Sequence, residues 1–419
     1  MKQDWEIKTI GDVCEFGNGL WTGKKPPYQN VGVIRNTNFT KDGKLDDSNI
    51  VYLDVEQKQF AKRKLQFGDI ILEKSGGGPK QPVGRVIVFD KKKGDFSFSN
   101  FTSVIRIMND NAVDFNYVHR FLYFKYISGA TEKMQSHSTG IRNLKFDDYK
   151  AIEIPIPPYT EQKRIVALLD EAFEKINKVK ANTEKNLANA KELFESYLSN
   201  IFVKLDDDWE IKTIGDVCEF GNGLWTGKKP PYQNVGVIRN TNFTKDGKLD
   251  DSNIVYLDVE QKQFAKRKLQ FGDIILEKSG GGPKQPVGRV IVFDKKKGDF
   301  SFSNFTSVIR IMNDNAVDFN YVHRFLYFKY ISGATEKMQS HSTGIRNLKF
   351  DDYKAIEIPI PPYTEQKRIV KKLDLLSAES KKLETIYKTK LRNLEEFKKS
   401  ILQKAFAGEL DTSKIRVEV

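Results

Sequence analysis

Cysteine and long apolar runs are scarce in this chain. Two cysteines occur in 419 residues, Cys14 and Cys218, which excludes a disulfide framework and a cysteine-based zinc site. No stretch of about 18 apolar residues is present, so we expect no membrane span. The opening MKQDWEIKTI has no apolar signal core. These absences predict a cytoplasmic protein with reduced thiols.

Catalytic and nucleotide-binding signatures are missing as well. The stretch SGGGPKQPVGR at 75–85 is glycine-rich, but Gln81 and Pro82 follow Lys80, where a Walker loop has Ser or Thr at the start of a helix. In GDIILEK, Glu73 and Lys74 are adjacent, so on a strand they would point to opposite faces and could not share a nuclease metal ion. We therefore expect no catalytic residue and no metal site.

The composition favours a folded protein that binds a polyanion. Hydrophobic residues make up 39% of the chain and aromatic residues 12%, as in globular proteins, and the length suffices for two or three domains. The formal net charge is +13. A positive field of this size attracts nucleic acid or another anionic surface.

An internal repeat decides the organisation of the chain. Residues Asp4–Val166 return unchanged as Asp208–Val370, at a constant offset of 204. Each copy has the size of a domain, so we interpret them as two folded modules. Short β-branched segments such as GDIILEKSG predict strands, and the aromatic stretch at 114–128 predicts a core-packed helix in which His119 is structural. The module is thus predicted to be mixed α/β (α+β).

Each module is followed by a different long segment with helical periodicity. Apolar residues recur at steps of three and four, from Leu169 to Leu198 and from Leu373 to Ile401, without proline. Each segment predicts one helix, roughly 66 Å long. The apolar stripe needs a partner: its own module, another chain or, as we favour from the near-heptad spacing, the other helix in an antiparallel coiled coil.

Four polar, glycine-interrupted segments are candidates for DNA contact: WTGKK at 21–25, IRNTNF at 34–39, the loop at 75–85 and QSHSTGIRNL at 135–144. Arg, Lys, Asn, Gln, Ser and His side chains contact phosphates and base edges. The alternative is that some of them only cap turns and helices. The candidates are Lys24, Lys25, Arg35, Asn36, Asn38, Lys74, Ser75, Lys80, Gln81, Arg85, Ser136, His137, Ser138 and Arg142, with Lys228, Lys229, Arg239, Asn240, Asn242, Lys278, Ser279, Lys284, Gln285, Arg289, Ser340, His341, Ser342 and Arg346 in the second copy.

Several phrases together resemble the specificity subunit of type I restriction–modification systems. They are IPIPPYTEQKRIV at both junctions, the ending KKSILQKAFAGEL, and the segments GDIILEKSG and HSTGIRNL, in the order module–helix–module–helix. In this chain the two modules are identical, whereas they commonly differ in that family. The resemblance implies target-recognition domains at 1–159 and 206–363, spacer helices at 160–205 and 364–407, and a C-terminal tail at 408–419.

The resemblance also implies a division of labour. Each recognition domain would read half of a split site in double-stranded DNA, and the helices would dock two methyltransferase subunits and, with them, two restriction subunits. S-adenosylmethionine, ATP and magnesium would belong to those partners, and the chain itself would be non-catalytic.

The identity of the modules adds a more specific expectation. If the helices pair antiparallel, the modules are related by an internal two-fold axis, which predicts an interrupted palindrome with half-site centres about 34–36 Å apart. Three other functions stay open: a recognition module of a combined restriction–methylation enzyme, a stand-alone DNA-binding regulator that associates through its helices, and a scaffold that binds no nucleic acid.

Overall fold

The computed structural model describes residues 5–21, 25–78, 81–136, 140–203, 208–224, 229–282, 285–340 and 345–417. The first module and its helix contain the strands β1 Glu6–Thr9, β2 Cys14–Asn18, β3 Tyr28–Ile34, β4 Val51–Glu56, β5 Ile70–Glu73, β6 Ser75–Gly77, β7 Val86–Val88, β8 Phe96–Phe98, β9 Thr102–Ile107, β10 Gln135–Ser136, β11 Arg142–Leu144 and β12 Glu153–Ile156. Their helices are α1 Ile10–Val13, α2 Gln57–Arg63, α3 Phe115–Ile127, α4 Phe146–Lys150 and α5 Tyr159–Val203.

The second module repeats these elements. Its strands are β13 Glu210–Thr213, β14 Cys218–Asn222, β15 Tyr232–Ile238, β16 Val255–Glu260, β17 Ile274–Glu277, β18 Ser279–Gly281, β19 Val290–Val292, β20 Phe300–Phe302, β21 Thr306–Ile311, β22 Gln339–Ser340, β23 Arg346–Leu348 and β24 Glu357–Ile360. Its helices are α6 Ile214–Val217, α7 Gln261–Arg267, α8 Phe319–Ile331, α9 Phe350–Lys354 and α10 Tyr363–Phe406.

A four-stranded antiparallel sheet in the order β2–β9–β5–β7 forms the centre of the first module. Its strand β5 is buried on both faces because successive side chains alternate across the sheet: Ile70 and Leu72 join the cluster that contains α3, whereas Ile71 joins a second cluster. Further sheets run in the orders β4–β3–β8, with β3 and β8 parallel, β1–β12, and β10–β11–β6. The predicted mixed α/β class is confirmed.

The aromatic helix α3 packs in the core, as predicted. The side chain of Asp114 caps it by accepting a hydrogen bond from the amide of Tyr117 at 2.9 Å. The inward face carries Tyr117, Phe121 and Leu122, which are all buried. His119 is buried too, and this burial lowers the pKa of its imidazole to about 3, so the ring is neutral and part of the core.

The two long helices are confirmed as continuous elements, with 45 residues in α5 and 44 in α10. The chain forms two compact units, one of Met1–Glu184 with Thr389–Val419 and one of Lys185–Lys388. Both helices are therefore divided between the units. The reason is hydrophobic burial at the helix ends: Phe406 lies in the core of the first unit and Phe202 in that of the second.

Within each unit the two helix portions run antiparallel. In the first unit, Lys180 of α5 pairs with Glu395 of α10 at 2.6 Å, and Thr412, beyond the end of α10, donates to Glu161 at 2.8 Å. In the second unit, Ser380 donates to the carbonyl of Ala190, and Lys372 lies over the ring of Tyr197 at 4.9 Å. Mutual antiparallel pairing of the helices is confirmed.

The described residues contain neither a candidate membrane-spanning helix nor a candidate metal-ligand cluster. None of their helices is long and apolar enough to cross a membrane. No group of three or more His, Cys, Asp or Glu side chains in the described ranges is arranged to hold a metal ion.

Candidate nucleic-acid interface

The small sheet β10–β11–β6 brings two of the four predicted contact segments together. Strand β11 is central: Ser136 of β10 pairs with Asn143 on one side, and Ser75 of β6 pairs with Asn143 on the other. The amide of Leu144 also donates to the carbonyl of Lys74 at 2.8 Å. The loop at 75–85 and the segment at 135–144 are thus direct neighbours, although some sixty residues separate them in sequence.

Side-chain hydrogen bonds connect a third segment, and strand β2, to this sheet. The side-chain amide of Asn36, from IRNTNF, donates to the carbonyl of Ser75 at 2.8 Å, and the hydroxyl of Ser75 contacts the Asn143 side chain at 2.5 Å. The ammonium of Lys74 donates to Asn18 Oδ1, at the end of β2, at 2.7 Å. Three of the four predicted segments therefore adjoin one sheet, which we call the reading sheet (β6, β10 and β11, with β18, β22 and β23 in the second module). Most of the fourth segment, at 22–24, lies outside the described residues.

The glycines of this loop allow close backbone packing, and they do not form a phosphate-binding loop. Gly76 has φ +98°, and a Cβ there would lie 3.1 Å from the Asn36 amide nitrogen. A Cβ on Gly77 would lie 2.5 Å from the carbonyl oxygen of Gln81. Gly78 and Gln81 exchange two backbone hydrogen bonds at 3.0 Å. The segment is a strand followed by a tight turn, whereas a Walker loop leads into a helix.

Arg85 is engaged by the fold, and its contact with DNA stays a prediction. Its guanidinium forms a bidentate pair with the buried carboxylate of Glu73, at 2.7 and 2.8 Å, and donates to two backbone carbonyls. The hydrogen bond to Glu73 raises the pKa of Arg85. Arg289 is held in the same way by Glu277.

Asn38 is likewise engaged by the fold. It is fully buried, its oxygen accepts from the amide of Arg35 at 2.9 Å, and its nitrogen donates to the carbonyl of Asp46 at 3.0 Å. In the second module Asn242 makes the equivalent bonds. Asn38 and Asn242 therefore shape the turn that follows the strand, as the capping alternative expects.

The remaining candidates fall into three groups, and their contact with DNA stays a prediction. Lys25, Gln81, Lys229 and Gln285 are exposed. Partly exposed are Arg35, Asn36, Lys74, Ser75, Ser136 and Arg142, with Arg239, Asn240, Lys278, Ser279, Ser340 and Arg346. Outside the described residues lie Lys24, Lys80, His137 and Ser138, with Lys228, Lys284, His341 and Ser342.

Three residues in or beside the reading sheet were not among the candidates from the sequence: Asn143 in β11, and Asn18 and Phe101, which both accept a hydrogen bond from Lys74. Phe101 is 47% exposed, and its carbonyl accepts from the amides of Lys74 and Ser75 at 3.0 and 3.2 Å. Its ring is also the apolar neighbour of Gly76, since a Cβ there would lie 3.5 Å away. No local pattern marks these residues, because only tertiary contacts make them neighbours of the loop.

Lys74 differs electrostatically from an ordinary surface lysine. Its ammonium lies 5.9 Å from the ring centre of Phe146, and partial burial lowers its pKa. The contacts of this ammonium are with neutral groups, Asn18 Oδ1 and the Phe146 ring. A positive charge held by neutral groups remains available to an anion.

Two basic modules with polar loops on small sheets, joined to paired helices, define a class of DNA-recognition protein. The family described as type I restriction modification DNA specificity domain matches residues 2–188 and 206–392. The chain belongs to this family, and the resemblance inferred from the sequence is confirmed.

Curated relatives and solved structures agree with this membership. The EcoKI specificity subunit of Escherichia coli K12 is 26% identical, over 100% of this chain and 91% of its own length. The putative MjaX specificity subunit of Methanocaldococcus jannaschii is also 26% identical, over 93% and 91%. A chain from a solved type I R–M system has a TM-score of 0.74 at 18% identity, covering 98% of this chain and 99% of its own. The HsdS subunit of Thermoanaerobacter tengcongensis has a TM-score of 0.58 at 18% identity, covering 98% of each chain.

Proposed function

We propose that this specificity subunit reads an interrupted palindrome in double-stranded DNA, with one identical half-site for each module. The observation that carries the proposal is the convergence of three polar segments on the reading sheet, which recurs in both modules. Identical side chains in identical settings select the same bases. The antiparallel pairing of the helices within each unit supports inverted half-sites.

The helices are proposed to dock two methyltransferase subunits, and through the assembly two restriction subunits. An apolar groove of about 410 Å³ on the helix pair of the first unit supports docking. Its floor includes Phe397, which is 55% exposed, and Val179, which is 37% exposed. Exposed apolar side chains that line one groove are a feature of protein interfaces. The groove is lined by Leu168, Ala172, Ile176, Val179, Leu394, Phe397 and Ile401, with two charged residues, Glu171 and Lys175.

In this proposal the chain supplies recognition, and the chemistry comes from its partners. S-adenosylmethionine would bind the methyltransferase subunits, and ATP and magnesium the restriction subunits. Within the first module, the buried acidic side chains of Glu73 and Asp69 are engaged structurally, in pairs with Arg85 and Arg106.

Methylation mapping tests the proposal. We would sequence DNA at single-molecule resolution from cells that express the chain with its methyltransferase, and from cells that lack only the chain. The expected result is a new adenine mark on both strands of one interrupted palindrome. No new mark despite a stable complex would refute the proposed function, and a site with two different halves would refute the palindrome alone.

A substitution in one copy sharpens the test. Gln81→Ala, in the first module only, removes an exposed amide beside the reading sheet. If Gln81 reads a base, one position in one half-site relaxes by roughly 1–3 kcal/mol, and the palindrome becomes asymmetric. Gln66→Ala, an exposed glutamine elsewhere in the same module, should leave the site unchanged. An unchanged map for both variants would remove Gln81 from the base-reading residues.

A further inference from the structure

A cleft next to the reading sheet has features of an anion site. It has a volume of about 350 Å³, and its lining includes Lys62, Arg63, Lys64 and Arg106, with one acidic residue, Glu15. The second module has the same cleft, of about 350 Å³, with Lys266, Arg267, Lys268 and Arg310. None of these basic residues belongs to the four segments that the sequence analysis selected.

The four cations are not equivalent. Lys64 pairs with Asp95 at 2.8 Å and Arg106 with Asp69 at 2.7 Å, so these two charges are balanced by acidic side chains. Among the described residues, neither Lys62 nor Arg63 has a carboxylate within ion-pair distance. The uncompensated positive charge of the cleft therefore resides on these two residues.

Arg63 is held in place by neutral groups. Its Nε donates to the carbonyls of Asn18 and Gly19 at 3.0 and 3.1 Å, and its Nη1 donates to the side chain of Gln59. A guanidinium oriented by carbonyls keeps its full charge, and phosphate is the anion that its fork geometry suits. Lys62 is exposed and adds a second charge.

Asn18 connects the cleft to the reading sheet. Its backbone carbonyl accepts from Arg63, while its side chain accepts from Lys74 at 2.7 Å. Both cations are thus attached to the same residue, one from the cleft and one from the loop at 75–85. A duplex whose bases face the reading sheet would have its backbone close to this cleft.

We propose that the cleft binds DNA backbone phosphates, one through Arg63 and one through Lys62, and likewise through Arg267 and Lys266 in the second module. The inference rests on the proposed DNA-reading function and adds a contact that carries no sequence information. It holds the duplex against the reading sheet, so it strengthens binding to cognate and unrelated DNA alike.

The test is the salt dependence of DNA affinity, measured with the full chain in its methyltransferase complex. The double variant Lys62→Gln with Lys266→Gln removes two exposed charges. The slope of log K against log salt is negative, and each lost phosphate contact reduces its magnitude by about 0.9. We therefore expect the magnitude to decrease by about 1.8. Over a fourfold rise in salt, the variant should then lose about twelvefold less affinity than the unmodified complex.

A matched control separates this contact from a general loss of charge. Lys93→Gln with Lys297→Gln removes the same charge from an exposed turn outside the cleft lining, and the slope should stay close to that of the unmodified complex. Arg63→Lys with Arg267→Lys, which keeps the charge but loses the fork, should weaken binding to cognate and random duplexes by the same factor.

Two distinct failures are possible. If the unmodified complex has no salt-dependent affinity for either duplex, the proposed function is wrong. If it binds but the Lys62 and Lys266 variant keeps the original slope, or only the control pair lowers it, the phosphate cleft is wrong and the proposed function stands.

Discussion

The end of α10 completes the first module, which makes Phe406 a stringent test of the fold. Its ring lies 5.4 Å from that of Tyr117, 5.1 Å from that of Phe121 and 5.9 Å from that of Phe124. Phe202 occupies the equivalent position against Tyr321, Phe325 and Phe328 in the second unit. Each module thus takes its last aromatic side chain from the far end of the other module's helix.

Phe406→Ala should destabilise the first unit selectively. The side chain is 6% exposed, and truncation of a buried phenylalanine costs about 3–5 kcal/mol. Even the lower value raises the equilibrium constant for opening of the first unit by about a hundredfold. The second unit should keep its stability, because opening is local when few contacts are lost elsewhere. Phe202→Ala should have the converse effect.

Buried cysteines make the two identical modules distinguishable. Cys14 is 2% exposed and Cys218 is 3% exposed, and burial raises the pKa of both thiols to about 12, so labelling requires opening. In the Cys218→Ala background, labelling of Cys14 reports on the first unit alone. In the Cys14→Ala background, labelling of Cys218 reports on the second.

We expect Phe406→Ala to accelerate Cys14 labelling about a hundredfold or more and to leave Cys218 within a few-fold of its original rate. Phe397→Ala, on the same helix but 55% exposed, is the control and should change neither rate. Faster labelling of Cys218 in place of Cys14, or equal acceleration of both, would refute the assignment of residues 389–419 to the first unit.

Two further predictions concern buried charges. Arg85→Met should lower the stability of the first unit by about 3–5 kcal/mol, since it leaves the buried Glu73 carboxylate without its partner; an unchanged denaturation midpoint would contradict the structural role of Arg85. Lys398 is almost fully buried near Asp42, and burial lowers its pKa below the usual 10.5. As pH rises, Lys398 therefore loses its proton in the folded protein before it does so in the unfolded chain. The free energy of unfolding should then increase as pH rises towards 10.5. Denaturant unfolding of the Cys218→Ala protein at increasing pH should show this rise in stability, and the added substitution Lys398→Met should abolish it.

Much of the architecture was predictable from local patterns. The exact repeat predicted two equivalent modules, the three–four periodicity predicted α5 and α10, and the aromatic stretch at 114–128 predicted the core helix α3. These features depend on residues close in sequence, whose spacing determines which face is apolar. The family followed from the junction phrases, which also lie within short segments.

The candidate interface was predictable only in part. The sequence identified the four polar segments. It could not distinguish Arg85 and Asn38 from exposed polar residues, because the functional groups are the same. Only the buried positions of Glu73 and of the backbone groups around Asn38 assign them to the fold. Conversely, Asn18, Arg63 and Phe101 become candidates because distant strands place them beside the loop.

The sequence by itself determined the elements of this protein, because helical and strand periodicity are local properties of the chain. The tertiary structure alone decided which helix end completes which module, since Phe202 and Phe406 find aromatic partners more than a hundred residues away in sequence. It also decided which polar groups are engaged within the fold and which stay exposed. That depends on whether a neighbouring carboxylate or carbonyl already engages them, and such neighbours are brought together only by folding.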